Sequence, residues 1–167
     1  MADFPFEERV YLRYLPDISE EIPKIGGMYA TMPEEPGESV QLDRIGSGNQ
    51  QWRIVLARLD DDVVYKIAGF IPPDEGVIPI GLAPAWKNDG AEPGSRIRIS
   101  TLDDASSYNV DVQNHDEGWI ISILPTDKYD KLGVDRFAGA SGREVDIVGV
   151  PVVNPPPPHP GWFVSKA

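Results

Sequence analysis

The chain carries an internal repeat, and this repeat limits the folds that are open to it. Residues 52–67, WRIVLARLDDDVVYKI, align without gaps on residues 95–110, SRIRISTLDDASSYNV, and six of the sixteen aligned positions are identical. Chance alone gives about one identity over such a length. In each copy, two stretches of alternating character flank an acidic turn, which is the pattern of a β-hairpin. We therefore expect a fold built from repeated β-units.

A third copy emerges when the two ends of the chain are joined. The terminal GWFVSKA, residues 161–167, matches the first strand of the unit and has Trp162 in the place of Trp52. The opening RVYLRYL, residues 9–15, matches the second strand and has Tyr11 in the place of the tyrosine that the other copies share. The pattern is therefore threefold and circular.

Three units of four strands, closed by pairing the two ends, predict an all-β fold, a β-trefoil with a closed barrel and pseudo-threefold symmetry, as one domain over residues 1–167. Closure removes the exposed sheet edges that make all-β chains prone to aggregation. A β-sandwich also uses many short strands and is the alternative, but the circular pattern favours the trefoil. Further strands are predicted at 26–32, 39–45, 76–83, 118–124 and 144–150; the pattern near Pro84 to Asn88 is unclear.

Composition narrows the class of protein. The 17 prolines and 16 glycines leave no room for long helices. A formal charge of −12 argues against nucleic acid and anionic membranes as partners, because both attract basic surfaces. The chain has no cysteine, which excludes disulfides and thiolate chemistry and suits the reducing cytoplasm. The amino terminus does not resemble a signal peptide, and no apolar run approaches the ~20 residues that span a bilayer.

A search for catalytic motifs finds little. His115 and His159 are isolated on separate polar loops, where we expect them to be solvated. No G-x-S-x-G elbow, Walker loop or dinucleotide fingerprint is present, although a dispersed serine–histidine–acid triad stays open. The acidic turns are best explained as turn chemistry, since aspartate caps its own backbone. We expect no enzyme activity, no metal and no cofactor.

The loops therefore become the candidate functional elements, because a closed barrel is rigid and its loops are free to vary. The loop at 16–27 is long, 46–51 is short and polar, 70–76 is stiffened by proline, and 154–161 is largely polyproline-like. Stiff loops lose little entropy on binding, which favours docking into the cleft of another protein. We expect the protein to act as a monomer.

Three segments carry a resemblance to a known family: KIGGMYAT, QWRIVLARLDDDVVYKIAGF and VPVVNPPPPHPGWFV. They are similar to the fungal mycocypins, especially the macrocypins; clitocypins are more distant members, and cocaprins look like close relatives. The likeness covers most of the chain, and its centre, 71–95, is the weakest part. It implies a cytoplasmic β-trefoil inhibitor of papain-like cysteine proteases with a role in defence.

In that family two neighbouring loops form a wedge that occupies the protease cleft. Carried across by motif, the first loop supplies Ile22, Pro23, Lys24, Ile25, Gly26, Gly27 and Met28. The second loop supplies Gly46, Ser47, Gly48, Asn49 and Gln50. We hypothesise that the glycine pair lets the main chain lie against the catalytic cysteine and histidine, where a Cβ atom would collide. The alternative is that the pair only forms a turn or bulge before a strand.

The resemblance also implies a second inhibitory loop, which here contains Ile71, Pro72, Pro73, Asp74 and Glu75. Asp74 stands where legumain-inhibiting members carry an asparagine, which argues against legumain as a target. Cocaprins inhibit both cysteine and aspartic proteases, and an apolar, proline-rich loop suits the hydrophobic cleft of a pepsin-like enzyme. An aspartic protease is therefore the favoured second target.

The rival interpretation is a carbohydrate-binding lectin, because trefoil lectins carry a Q-x-W motif in each unit. Gln50-Gln51-Trp52 fits that motif, but the equivalent positions elsewhere in the chain do not. The recurring aromatic residues are expected in the core: Trp52, Trp119, Trp162, Tyr65 and Tyr108. Trp86 follows no repeat and is a weak contact candidate or part of the core.

Overall fold

The architecture is all-β. The computed structural model describes residues 3–35, 37–71 and 79–167, apart from the side chain of Ile80. Strands follow one another in this order: β1 (Val10–Leu15), β2 (Tyr29–Thr31), β3 (Gln41–Asp43), β4 (Trp52–Leu59), β5 (Asp62–Gly69), β6 (Pro84–Asn88), β7 (Ile97–Thr101), β8 (Tyr108–His115), β9 (Gly118–Pro125), β10 (Val134–Ser141), β11 (Glu144–Pro151) and β12 (Gly161–Lys166). Two short 3-10 helices, Ile80–Leu82 and Leu102–Asp104, precede β6 and β8.

Six of the strands close into an antiparallel barrel. The ring runs from β1 to β12, β9, β8, β5 and β4. It closes through a pair between Val10 of β1 and Trp52 of β4. The two ends of the chain, in β1 and β12, pair along six residues, as the circular pattern predicts. The predicted all-β class and closed barrel are therefore confirmed.

Three hairpins lie outside this ring: β2–β3, β6–β7 and β10–β11. They also contact one another through backbone hydrogen bonds. Val40 N donates to Ile97 O at 2.9 Å, Ile147 N donates to Ser95 O at 2.9 Å, and Val145 N donates to Val40 O at 2.9 Å. Each hairpin is thus hydrogen-bonded to the other two. These bonds fix the positions of the three hairpins relative to one another.

Trp86 stands at the centre of the core. Its ring lies 5.7 Å from that of Trp52, 5.8 Å from that of Trp162 and 6.3 Å from that of Tyr108, between ring centroids. All four side chains are fully buried. Of the two interpretations of Trp86, the core position is therefore confirmed and the contact role is wrong, because β6 places it where three barrel strands converge.

Two of these aromatic side chains also bond the backbone of an outer hairpin. Trp52 Nε1 donates to Ala30 O at 2.9 Å, and Trp162 Nε1 donates to Ala138 O at 3.0 Å. The two tryptophans thus have matching environments, in agreement with the sequence comparison. Tyr108, the first residue of β8, donates its hydroxyl to Asn88 Oδ1 of β6 at 2.6 Å. Burial raises the pKa of Tyr108 well above its usual value.

The second copy of the sequence repeat does not form the predicted hairpin. The first copy does, because β4 and β5 pair along their whole length. In the second copy β7 pairs with β6, and Leu102–Asp104 forms a 3-10 corner that leads into β8. Leu102 is buried, and Asp104 is held by Lys87 Nζ at 2.8 Å and Ser100 Oγ at 2.9 Å. These contacts hold the acidic segment as a corner that connects β7, in an outer hairpin, with β8, in the barrel ring.

The strand predicted at 76–83 is also not observed in its described part. Residues 72–78 lie outside the described residues, and Ile80–Leu82 forms a 3-10 helix. Pairing resumes at Pro84, in the region where the sequence pattern was unclear. The segment at 118–124 does form a strand, β9, but within the barrel ring. Among the described residues, no helix is long and apolar enough to cross a membrane.

Candidate functional site

The first candidate loop connects β1 with β2 and begins as a compact turn. Asp17 Oδ1 accepts hydrogen bonds from Ser19 Oγ at 2.6 Å and from Ser19 N at 2.9 Å. These bonds from Ser19 lower the pKa of the Asp17 carboxyl. Ile18 N donates to His159 O at 3.1 Å, which attaches this turn to the carboxyl-terminal loop. The base of the first loop is therefore fixed.

The tip of this loop projects into solvent. Pro23, Lys24, Gly26 and Gly27 are exposed, and 91% of the surface of Ile25 is accessible. Folding does not bury this isoleucine side chain, so it does not stabilise the folded protein. Burial of the same side chain in a partner would therefore contribute to binding. Ile22 and Met28 flank the tip and are half-buried; Met28 packs on the core, and its carbonyl accepts from Tyr14 N at 2.8 Å.

Both glycines of the pair have left-handed backbone conformations. The φ angles are 86° at Gly26 and 99° at Gly27, a region that costs other residues about 1–2 kcal/mol. A Cβ atom at Gly26 would meet no other atom within 4 Å, whereas one at Gly27 would overlap the Arg13 guanidinium. Arg13 is itself buried. The fold itself therefore requires glycine at position 27, because Arg13 occupies the space of a side chain there. This requirement is independent of the collision with a protease that we hypothesised.

The second candidate loop, 46–50, connects β3 with β4 and is organised by Gln50. Gly46 N donates to Gln50 Oε1 at 2.8 Å, and Gln50 Nε2 donates to Arg44 O at 2.7 Å and to Thr31 Oγ1 at 3.0 Å. Gln50 is buried, so its side chain holds the loop from within. Gly46, Ser47 and Gly48 form the exposed part of the loop.

Asn49 links this loop to two neighbouring segments. Its carbonyl accepts from Met32 N at 2.8 Å, and its Nδ2 donates to Phe70 O at 2.8 Å. The second bond fixes the base of the predicted second inhibitory loop. Ile71 of that loop is half-buried, whereas Pro72, Pro73, Asp74 and Glu75 lie outside the described residues.

The structure brings the two candidate loops to the same end of the β2–β3 hairpin. Tyr29 pairs with Asp43, so the residues that precede β2 and those that follow β3 leave the hairpin side by side. The first loop ends at Met28 and the second starts at Gly46. Two exposed backbone segments, each fastened at its base, thus stand next to one another on the barrel.

Acidic side chains lie beside the second loop. A groove is lined by Glu34, Glu38 and Asp43 together with Ser47 and Asn49. Arg143 Nη2 lies 3.1 Å from Asp43 Oδ2 and partly balances its charge. The groove is therefore acidic, whereas the exposed Arg44 lies just before the loop.

The two histidines have different environments. His115, the last residue of β8, is exposed: its Nδ1 accepts from Glu117 N at 3.2 Å, and its ring lies edge-on to that of Phe163 at 5.2 Å. His159 is half-buried: its ring stacks on Phe137 at 4.4 Å, and its Nε2 lies 3.3 Å from Ser122 Oγ. The expectation of a solvated His159 is therefore wrong. Ser122 is buried too, which fits a packing contact. The described residues contain no group of three His, Asp or Glu side chains placed to hold a metal ion.

The sequence did not reveal two strand residues that contact the candidate loops, Arg13 beside Gly27 and Thr31 beside Gln50. Arg13 sits in β1, and Thr31 sits in β2; neither is in a candidate loop. An arginine inside the apolar run VYLRYL is the only sequence sign of such a role. Gln50 and Trp52, the polar and aromatic members of the Q-x-W motif, are both buried and act in the framework.

Comparisons with known proteins complete the description of the site. The chain matches no model of a known protein family, and it matches no curated protein sequence. Its candidate site therefore rests on the geometry of the two loops and on the motifs in the sequence.

Proposed function

We propose that the protein is a β-trefoil inhibitor of papain-like cysteine proteases, with the loops at 16–28 and 46–50 inserted together into the active-site cleft. The observation that carries this proposal is the placement of two exposed, base-anchored loops side by side at one end of the β2–β3 hairpin. A six-stranded barrel with three mutually bonded outer hairpins is the arrangement expected of a trefoil. On the basis of the resemblance to mycocypins, the proposal includes a cytoplasmic location, a fungal origin and a role in defence.

The rigidity of the loop bases supports an inhibitory role. A segment that binds a cleft without being cleaved must lose little conformational entropy on binding. The Asp17 turn, the Tyr14–Met28 bond and the hydrogen bonds of Gln50 restrain the two loops before any partner arrives. Gly26 and Gly27 add exposed backbone that can approach another main chain closely.

Ile25 supplies the apolar contact in this proposal. Burying an isoleucine side chain contributes roughly 1.5–3 kcal/mol. An apolar substrate pocket next to the catalytic cysteine would cover it, and Lys24 beside it carries a charge that an acidic rim would attract. In this proposal the first loop contributes most of the binding free energy. The second loop contributes mainly shape complementarity to the cleft.

A residual-activity titration tests the proposal. Papain and cathepsin L are titrated with the purified protein, and legumain, trypsin and pepsin complete the panel. The expected result is stoichiometric inhibition of papain and cathepsin L by the wild-type protein. Ile25→Asp should weaken this inhibition by at least about tenfold, because it replaces an apolar contact by a charge.

Leu132→Asp is the matched control, since Leu132 is 97% exposed and lies outside both loops. This variant should inhibit papain as the wild type does. Full papain activity at micromolar excess of the wild-type protein would overturn the proposal. Binding on a glycan array together with absent inhibition would favour the lectin interpretation instead.

The second target that we propose is an aspartic, pepsin-like protease bound by the loop that contains Ile71. The bond between Asn49 and Phe70 supports this loop at its base, next to the first site. Inhibition of pepsin that survives Ile25→Asp would support an independent second site. Inhibition of legumain in place of pepsin would reverse the choice of second target.

A further inference from the structure

The loop between β9 and β10, residues 126–133, belongs to neither proposed protease site. Along it, Asp127 and Tyr129 are half-buried, whereas Lys128 and Asp130 are exposed. The chain makes no turn or bend from Lys128 to Asp130. Burial alternates there because successive side chains of an extended backbone point to opposite sides. The loop thus contains a short extended segment that directs every second side chain into solvent.

Hydrogen bonds fasten both ends of this loop. At its start, Thr126 Oγ1 donates to Ser107 O at 3.0 Å. At its end, Gly133 O accepts from Val152 N at 2.8 Å. Both partners belong to segments outside the loop, so the extended segment is held between two fixed points.

Arg136 of β10 holds the residue on each side of Lys128. Its Nη2 donates to Asp127 O, and its Cζ lies 5.0 Å from the centre of the Tyr129 ring, in a cation–π contact. Its Nη1 donates to Ala91 O at 2.7 Å, which fixes the guanidinium itself. Lys128 is therefore presented between two residues that one side chain of the barrel framework restrains.

The two acidic side chains near Lys128 differ in position. Asp127 Oδ2 accepts from Nδ2 of the buried Asn88 at 3.2 Å, so this carboxylate is bonded to β6. Asp130 is exposed two residues beyond Lys128, on the same side of the segment. The segment is thus not a basic patch. A partner can use its positive charge only by taking the single lysine into a pocket of its own.

Lys131 is not presented in this way. Both of its neighbours, Asp130 and Leu132, are exposed, and Leu132 has 97% of its surface accessible. The chain turns at Leu132 and Gly133, where φ of the glycine is 82°. Of the two lysines in the loop, only Lys128 therefore stands in an extended segment with restrained neighbours.

A single lysine in a restrained, extended segment has the form of a substrate bound to a serine protease. In trypsin, an aspartate in the specificity pocket selects substrates with a basic side chain. We propose that Lys128 is the specificity residue of a third loop, which inhibits trypsin-like serine proteases independently of the papain site. Its side chain enters the specificity pocket, and the peptide bond between Lys128 and Tyr129 lies at the catalytic serine.

Arg136 explains why this loop inhibits the protease and is not consumed by it. In hydrolysis the serine oxygen replaces the nitrogen at the Lys128 carbonyl carbon, and the Tyr129 amine leaves with a proton. Water then releases the Lys128 carboxylate and restores the serine. Because Arg136 holds Asp127 and Tyr129 together, the amine stays beside the acyl group and re-forms the peptide bond before water attacks.

Titration of trypsin and chymotrypsin with the full-length protein tests the proposal. We expect saturable inhibition of trypsin by the wild type and by Ile25→Asp alike. Lys128→Phe should weaken the inhibition of trypsin by at least about tenfold and create inhibition of chymotrypsin, whose specificity pocket is hydrophobic. Lys131→Phe is the matched control: it should change the inhibition of trypsin by less than about threefold.

Arg136→Ala tests the restraint of the loop. This variant should be cleaved between Lys128 and Tyr129 at least about tenfold faster than the wild type, as followed by mass spectrometry. Thermal unfolding of each variant reports whether the fold is kept. Full trypsin activity at micromolar excess of the wild type would overturn the proposal. Equal inhibition of trypsin by Lys128→Phe and Lys131→Phe, with both folds intact, would overturn it as well.

Discussion

The guanidinium of Arg13 occupies the space beside the α-carbon of Gly27, so that a side chain at position 27 would overlap its Nε atom. Arg13 belongs to β1 and is buried, whereas Gly27 is exposed in the first candidate loop. A residue of the barrel therefore limits which residues this loop can contain. This relationship explains why one glycine of the pair is needed for the fold, whatever the pair does in binding.

Gly27→Ala should destabilise the protein more than Gly26→Ala. Both replacements carry the cost of a positive φ, about 1–2 kcal/mol, but only the first also displaces Arg13. Thermal unfolding measures the difference, and each kcal/mol corresponds to roughly 2–4 °C in Tm for a chain of this size. Gly94→Ala is a control outside the site, since Gly94 has a φ of 91° and no neighbour within 4 Å.

A double-mutant cycle isolates the contact itself. Arg13→Ala removes the obstacle, so the loss of stability in Arg13→Ala/Gly27→Ala should be smaller than the sum of the two single losses. Papain titration of the same variants shows whether the loop shape matters for inhibition. Strictly additive losses of stability would contradict the proposed overlap.

Gln50→Ala should destabilise the protein and loosen the second loop. The hydrogen bonds of its side chain with Gly46, Arg44 and Thr31 are lost, at about 0.5–1.5 kcal/mol each. Urea unfolding measures the stability, and papain titration measures the effect on inhibition. Gln113→Ala is the matched control, because Gln113 is exposed; an equal effect of both replacements would argue against the role of Gln50.

The sequence was informative where the determinants are local. Alternating residues correctly predicted the β4–β5 hairpin and the pairing of the chain ends, and the glycine pair does precede a strand. The same pattern was wrong at 95–110, because Asp104 bonds Lys87 of another strand, which a repeat cannot reveal. Burial of Trp86 likewise depends on three strands from distant parts of the chain. The requirement for glycine at position 27 also depends on a residue distant in sequence, Arg13 of β1.

Replacement of the core tryptophans should distinguish their hydrogen bonds from their bulk. Trp52→Phe and Trp162→Phe each lose a bond from Nε1 to a backbone carbonyl, whereas Trp86 Nε1 has no partner among the described residues. All three replacements remove similar volume from a fully buried site. Trp86→Phe should therefore cost about 1 kcal/mol less than the other two, as measured by urea unfolding. An equal or greater cost at Trp86 would contradict this assignment.

Asp146 should make the stability of the protein depend on pH in an unusual direction. Burial raises the pKa of this carboxyl above its ordinary value of 3.8, a hydrogen bond from Ser141 partly opposes the shift, and the charge of Glu144 adds to it. Its Oδ1 has no partner among the described residues. Because the folded state holds the proton more tightly, the contribution to stability is complete below pH ~3.8 and is lost as pH rises through the raised pKa.

Asp146→Asn keeps the shape of the side chain but cannot ionise. We expect this variant to have a higher Tm than the wild type at pH 7, and the difference should vanish near pH 3. Asp104→Asn should behave in the opposite way, because bonds from Lys87 and Ser100 lower the pKa of Asp104. Its stabilising contribution is present above pH ~3.8 and is lost as pH falls through the lowered pKa, so this variant should have the lower Tm at pH 7. A Tm difference for Asp146→Asn that does not change between pH 3 and pH 7 would show that Asp146 is not the group responsible.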